Sequence, residues 1–165
     1  MDRPREEALA DYVRKNQNRF YRLAYSFMHN SDDAMDVVQD AVVKAFEKQD
    51  TLKDIETLQT WFYRILVNTS IDSLRRRKRV VYTDAVPEQE DGVSQESQVL
   101  DAVALYAALD KLPEEMKLVV ILRFFEDMKL SEIADVTGAA LSTVKNRLYR
   151  ALALLRLDMA DEGRI

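Results

Sequence analysis

Between Val81 and Leu100 the chain runs for twenty residues, VYTDAVPEQEDGVSQESQVL, with five acids, no Lys or Arg, and both Pro87 and Gly92. No apolar periodicity survives there, so this stretch offers no face to bury and reads as a flexible acidic linker. On both sides of it, apolar residues recur at three and four positions, and the whole chain holds only three Gly and three Pro. That combination predicts an all-α protein without strand-hairpin patterning. The expected architecture is two small helical domains, 1–80 and 101–165, joined by the linker 81–100. Fully extended, such a linker reaches at most about 66 Å, and it keeps both domains at high effective concentration on one shared partner. Each domain is small for an independent hydrophobic core.

Composition removes most chemistry. The 165 residues contain no Cys and one His, His29, which excludes disulfides, thiolate zinc sites, cysteine nucleophiles and nearly all His-based metal or acid/base chemistry. No P-loop, HExxH pattern or nucleophile elbow is present either. The chain is therefore expected to be no enzyme, with no catalytic residue, no metal and no cofactor. The first residues, Met1 to Glu7, lack the apolar core of a signal peptide, no uncharged run is long enough to span a membrane, and a cytoplasmic location is expected. His29 reads as a surface residue at a helix end.

The formal charge of −5 argues against a purely electrostatic nucleic-acid binder, but it is unevenly spread. Residues 61–80 carry six Lys/Arg against one acid, while 1–60 carry nine against twelve. The first domain is expected to begin with a helix from Asp11 to Asn30. A second opens on Ser31-Asp32-Asp33, an N-cap signal with acids at the positive end of the helix dipole, and runs to about Gln49. Its apolar stripe (Ala34, Val37, Val38, Ala41, Val42, Ala45, Phe46) leaves Asp33, Asp36, Asp40, Lys44 and Glu47 outward, a face that helix physics alone reads as solvated.

A polar connector, Asp50 to Thr60, leads to a third helix from Trp61 to about Arg79. At roughly 100° per residue, Phe62, Ile65, Leu66 and Thr69 share its core face. Trp61, Arg64, Asn68, Asp72 and Arg75 gather on another side. The helix ends in Arg75-Arg76-Arg77-Lys78-Arg79, five consecutive cations. In an acidic protein this run points to phosphate contact, and an aromatic and an amide beside it suit stacking and hydrogen bonding to unpaired bases.

In the second domain Leu112-Pro113-Glu114-Glu115 reads as a helix start with Pro at the first helical position. The helix continues through Phe124 and Phe125, apolar nearly all round, as the buried centre of a small bundle. A short helix from Ser131 to Val136, a turn at Thr137-Gly138 and a long helix from Leu141 to Leu157 then make a helix-turn-helix. On the long helix Val144, Leu148, Ala151, Leu152 and Leu155 cluster inward. Ser142, Lys145, Asn146, Tyr149 and Arg150 point the other way, and residues 141–157 hold four cations and no anion. These are side chains that read base edges and grip phosphates in a major groove.

These motifs, in this order, resemble the extracytoplasmic-function group of bacterial sigma factors, within the sigma-70 family, over about residues 10–158. Asp33-Ala34-Met35-Asp36-Val37-Val38-Gln39-Asp40 is similar to the family's acidic DAEDVVQE helix. Trp61-Phe62-Tyr63-Arg64-Ile65 with Asn68, Ile71, Asp72 and the Arg run is similar to its W-[LF]-Y-R-I-x-x-N-x-x-I-D helix. Leu130-Ser131-Glu132-Ile133-Ala134, Gly138 and Ser142 to Ala151 resemble L-x-E-I-A…G-T-V-K-S-R-L-x-R-A.

The resemblance implies roles that helix physics does not. Asp33, Asp36, Gln39 and Asp40 would dock on the large catalytic subunits of core RNA polymerase. Asn68 and Asp72, with the preceding loop from Leu52 to Thr60, would form the pocket that captures a base flipped from the −10 promoter element, with Trp61 supporting the melted junction and Arg64 in the same −10-binding set, and Arg75, Arg76, Arg77, Lys78 and Arg79 would hold backbone phosphate. Ser142, Thr143, Lys145, Asn146, Arg147, Tyr149 and Arg150, within the helix-turn-helix 130–150, would read the −35 element. An anti-sigma factor, commonly membrane-anchored in this family, is the implied regulatory partner. Three positions depart from the pattern: Met35 replaces the usual Glu, and Ala140 and Ser142 replace the common Pro and Gly before the recognition helix. The alternative from another class is a homodimeric helix-turn-helix regulator that binds operators unaided.

Overall fold

The computed structural model describes residues 3–81, 105 and 107–161, with the side chains of 78–81 and 158–161 outside the described set. Of the segment 81–100 expected to be the linker, Val81 is the last residue of a helix and 82–100 lie outside the described residues. Every regular element among the described residues is helical. The chain divides into two compact units, Met1–Glu90 and Asp91–Ile165.

The first unit comprises α1 (Arg3–Lys15), α2 (Gln17–Met28), α3 (Ser31–Glu47) and α4 (Leu58–Val81). The single helix expected over 11–30 is two. Helix α1 begins eight residues earlier than expected, at Arg3, and the chain breaks at Asn16, whose side-chain amide donates to the Tyr12 carbonyl at 2.8 Å. This is the competition by which Asn disfavours helix interiors. The break has a packing reason. In a continuous helix Tyr12 and Phe20 would stand about 12 Å apart along the axis, whereas here their ring centroids lie 5.6 Å apart and both meet Phe62, at 5.9 and 4.4 Å. Tyr63 closes the cluster edge-on to Phe20 at 5.7 Å.

Helix α2 ends on His29, which is half-buried rather than a plain surface residue. It adopts the left-handed conformation (φ 55°), its N–H bonds the Tyr25 carbonyl at 2.8 Å, and its ring lies edge-on to Tyr25. The N-cap of α3 is Asn30, one residue before the expected Ser31. The Asn30 Oδ1 accepts from the Asp33 N–H at 2.9 Å, while the Ser31 hydroxyl bonds Tyr21 at 2.8 Å. Helix α3 packs against α2 and α4, and α2 against α4.

The second unit contains helical residues 107–110, α5 (Glu114–Val120), α6 (Leu130–Thr137) and α7 (Leu141–Asp161). Pro113 is the N-cap of α5 and not its first helical residue: its backbone is extended at ψ 146°, and its carbonyl accepts the first helical bonds, from Met116 and Lys117. Helix α5 continues as a π turn, Ile121–Phe125, closed by Glu126 N–H to Ile121 O at 3.1 Å. The wider turn shifts the helical register of its own last residues. Phe124 is consequently 55% exposed beside the Arg123 guanidinium, and Phe125 is half-buried, so the expected burial all round the helix fails there.

Helix α6 ends as the sequence requires. Gly138 adopts φ 76° and its N–H bonds Ala134 O at 2.8 Å, the left-handed stop that glycine supplies most cheaply. At the other end Glu132 accepts the Lys129 N–H at 2.9 Å, one half of a capping box. Val144, Leu148, Ala151 and Leu155 of α7 are buried, and α7 packs on both α5 and α6.

Candidate functional site

Three surfaces collect the residues that the sequence singles out. On α3, Asp36, Gln39 and Asp40 are exposed, and Met35 and Val43 are exposed beside them, at 50% and 56%. The face is thus acidic with apolar members at i and i+8, not acidic throughout. Asp33 stands apart: its carboxylate lies 3.4 Å from Arg77 Nη1, and the same guanidinium donates to the Met28 carbonyl. Arg77 therefore ties the end of α2 and the first turn of α3 to α4, an arrangement that also places a carboxylate at a helix N-terminus. Asp33 and Arg77 form an internal clamp in this structure.

On α4, Arg64, Asn68, Asp72, Arg75 and Arg76 are exposed, and Trp61 is half-buried. Phe62, Tyr63, Leu66, Val67, Thr69 and Ser70 of the same helix are buried, so the packed face fixes the rotation that turns the polar stripe outward. Ile65, assigned to the core face by its spacing, is only half-buried. The side chains of Lys78 and Arg79 lie outside the described residues.

The connector before α4 is more ordered than a polar loop. It holds two 3-10 turns, Gln49–Thr51 and Ile55–Thr57, and buries Leu52, while Leu58 is buried at the start of α4. Asp54 caps the second turn by accepting from the Glu56 N–H at 3.0 Å, and the Thr57 hydroxyl donates back to Asp54 O. Trp61 Nε1 donates to the Thr51 hydroxyl at 3.0 Å, which itself donates to Lys48 O. Sequence reasoning misses Thr51, because a contact ten residues away from an indole leaves no local signature.

On α7, Ser142, Lys145, Asn146, Tyr149 and Arg150 are all exposed, Tyr149 at 63%. Thr143 and Arg147 are half-buried. Arg147 Nη2 lies 3.3 Å from the Glu115 carboxylate, so one cation of α7 already has an anionic neighbour.

Residues 12–80 match the family Sigma-70 region 2, and residues 102–155 match Sigma-70, region 4. RNA polymerase sigma factor SigV of Bacillus subtilis is 44% identical over 154 residues, which span 93% of this chain and 92% of that protein. This chain belongs to the sigma-70 family. Among its sigma-factor relatives is also the ECF RNA polymerase sigma factor SigW of B. subtilis, 29% identical across 94% of this chain and 91% of SigW. The solved sigma factor RpoE from Bartonella quintana, co-crystallised with the anti-sigma factor NepR, superposes with a TM-score of 0.78 at 27% identity, covering 91% of this chain and 97% of RpoE. CnrH, in complex with the cytosolic domain of CnrY, shares the fold with a TM-score of 0.71 at 24% identity over 94% of this chain and 90% of CnrH. The chain is accordingly an RNA polymerase sigma factor of the extracytoplasmic-function type, and the operator-binding alternative falls away. No helix among the described residues is long and apolar enough to cross a membrane.

Proposed function

We propose that this sigma factor divides its contacts by surface, with residues 1–80 as the polymerase and −10 unit, 81–100 as the linker and 101–165 as the −35 unit. Asp36, Gln39 and Asp40 dock on the large catalytic subunits of core polymerase. Met35 and Val43 add an apolar contact that desolvates the polar ones. Asn68 and Asp72, backed by the ordered loop 52–60 and by Trp61, receive the flipped −10 base, and Arg64, Arg75 and Arg76 hold its backbone, with Lys78 and Arg79 next in line. Ser142, Thr143, Lys145, Asn146, Tyr149 and Arg150 read the −35 duplex. Asp33, Arg77 and Arg147 contribute by shaping these surfaces as well as by any direct contact.

One observation carries this reading. Asp36, Gln39, Asp40, Arg64, Asn68, Asp72, Arg75, Arg76, Ser142, Lys145, Asn146, Tyr149 and Arg150 make no side-chain hydrogen bond or ion pair among the described residues. Among the described residues, no such bond has to break when a partner arrives. Unstacking a base costs a few kcal/mol, and aromatic stacking returns about 1–3 kcal/mol per base. The Trp61 indole, already held by Thr51, offers a stacking surface that offsets part of that cost. The protein supplies specificity and leaves catalysis to polymerase, acts in the cytoplasm, and is held inactive by an anti-sigma factor, as RpoE of B. quintana is found with NepR.

Reconstitution with core polymerase and transcript start mapping test the assignment. Asp36→Arg is expected to abolish polymerase association. Asn68→Ala is expected to preserve association and impair promoter melting at least tenfold. Wild-type transcription from both variants would overturn the site assignments.

A further inference from the structure

The 3-10 turn Gln49–Thr51 is pinned from several sides, and one of its side chains meets the indole at the start of α4. Lys48, the C-cap of α3, accepts through its carbonyl from both the Thr51 N–H at 2.9 Å and the Thr51 hydroxyl at 2.7 Å. A hydroxyl has a single proton, and Lys48 takes it, so the Thr51 oxygen is left to accept. Trp61 Nε1, which can only donate, fills that role at 3.0 Å. Buried Leu52 anchors the residue after the turn, and the Gln49 carbonyl accepts from Arg5 of α1 at 3.4 Å. Thr51 is exposed and Trp61 half-buried, so water can serve the indole N–H when Thr51 does not. The bond therefore fixes a ring orientation and is not needed to satisfy a buried donor. Thr51 belongs to none of the motifs that carry the family resemblance.

We propose that Thr51 is the positioning residue for Trp61 and holds its ring in one orientation before DNA arrives, so that the ring face is ready as the −10 element opens. The inference rests on the assignment of Trp61 as a stacking surface at the melted −10 element. Stacking depends on the angle of the ring plane, and an untethered side chain at the start of a helix divides its time among staggered rotamers. One net hydrogen bond shifts such a population by about two- to tenfold. Holding the ring in advance removes an ordering step from promoter opening. Because Lys48 closes α3 and Arg5 belongs to α1, the acceptor is placed by two helices other than the one that carries the indole.

The test has a spectroscopic arm and a functional arm. Trp61 is the only tryptophan, so its fluorescence anisotropy in the free full-length protein reports the freedom of the ring. Thr51→Val keeps the branched shape and removes the acceptor, and is expected to lower that anisotropy. Thr51→Ser retains the hydroxyl and is expected to restore it. As holoenzyme on a duplex promoter, Thr51→Val is expected to slow promoter opening by about two- to tenfold, with Thr51→Ser near wild type and polymerase affinity unchanged in both. In a Trp61→Phe background, where the ring can stack but has no N–H, Thr51→Val is expected to add nothing. Unaltered anisotropy with Thr51→Val overturns the proposal, and so does an equal slowing in the Trp61→Phe background. A loss of helical circular dichroism in both Thr51 variants also overturns it, because Thr51 is then a residue of the fold and not of the indole. Trp61→Ala keeps the two failures apart. Silence there removes the stacking assignment itself, whereas slowed opening with Trp61→Ala and none with Thr51→Val removes the role of Thr51 alone.

Discussion

The two units are built on different cores. In the first, an aromatic cluster of Tyr12, Phe20, Phe62 and Tyr63 locks three helices together, and the polar stripe is carried by the same helix, α4, that supplies two of those rings. In the second, Val119, Leu122, Ile133, Val136, Val144 and Leu148 form an aliphatic core. Its buried Lys117, at 2% exposure, lies within 3.6 Å of Asp110 and 3.4 Å of Glu114. The first unit thus carries its polar stripe on a helix held by large rings. The second sets one helix at a fixed angle through a glycine turn. Flipped-base capture needs a preformed pocket, whereas groove reading needs a correctly aimed helix.

The largest effect that bears on this contrast is expected from Phe62→Ala. Removing a fully buried ring that stacks on Phe20 costs about 3–5 kcal/mol, comparable with the whole margin of so small a domain. Trp61 is the only tryptophan, so indole fluorescence reports the first unit alone while far-ultraviolet circular dichroism reports both. The expected outcome is an unfolded-like Trp61 signal with the helical signal of α5, α6 and α7 retained. Simultaneous loss of both would show that the units are energetically one body and would break the comparison.

A smaller effect is expected at the turn of the second unit. A Cβ placed on Gly138 meets nothing within 4 Å, so Gly138→Ala encounters only the left-handed backbone penalty, about 1–2 kcal/mol. Denaturant melting followed by the helical signal measures it, and Gly138→Asn is expected to recover part of the loss, because Asn tolerates that conformation better. A cost well above this range would mean that the turn is fixed by close packing and not by backbone conformation alone.

Legibility in the sequence depends on the range of each cause. The outward face of α7 is readable because one local period sets it: Val144 and Leu148 go in, and Lys145, Asn146 and Tyr149 go out. On α3 the same local period sends Asp36, Gln39 and Asp40 outward. The break at Asn16 is hidden because apolar spacing continues through it, and the benefit of breaking arises only when Phe62 arrives from far along the chain. Arg77 lies within an unbroken cationic run that looks uniform, yet its partners, Asp33 and the Met28 carbonyl, stand more than forty residues earlier. The π turn at Ile121–Phe125 likewise has no periodic signature in five residues, and its consequence is an exposed Phe124.

The finest distinction concerns Arg147, whose half-buried guanidinium faces the largely exposed Glu115 carboxylate at 3.3 Å. A pair this open to solvent is worth little, so Glu115→Gln is expected to change the stability of the second unit by less than about 0.5 kcal/mol. Its effect on DNA separates two roles that the same geometry allows. If Arg147 reaches a phosphate of the −35 duplex, the carboxylate competes for it, and removing that charge strengthens duplex binding and steepens its salt dependence by about one unit of slope. If Arg147 only braces α7 against α5, the slope stays as in wild type while Arg150→Ala still lowers it. Because the pair lies at the edge of the exposed set formed by Ser142, Lys145, Asn146, Tyr149 and Arg150, the first outcome widens the reading surface of the second unit toward α5. The second confines it to residues that make no side-chain hydrogen bond or ion pair among the described residues, as is true of Arg64, Asn68, Asp72 and Arg75 on α4.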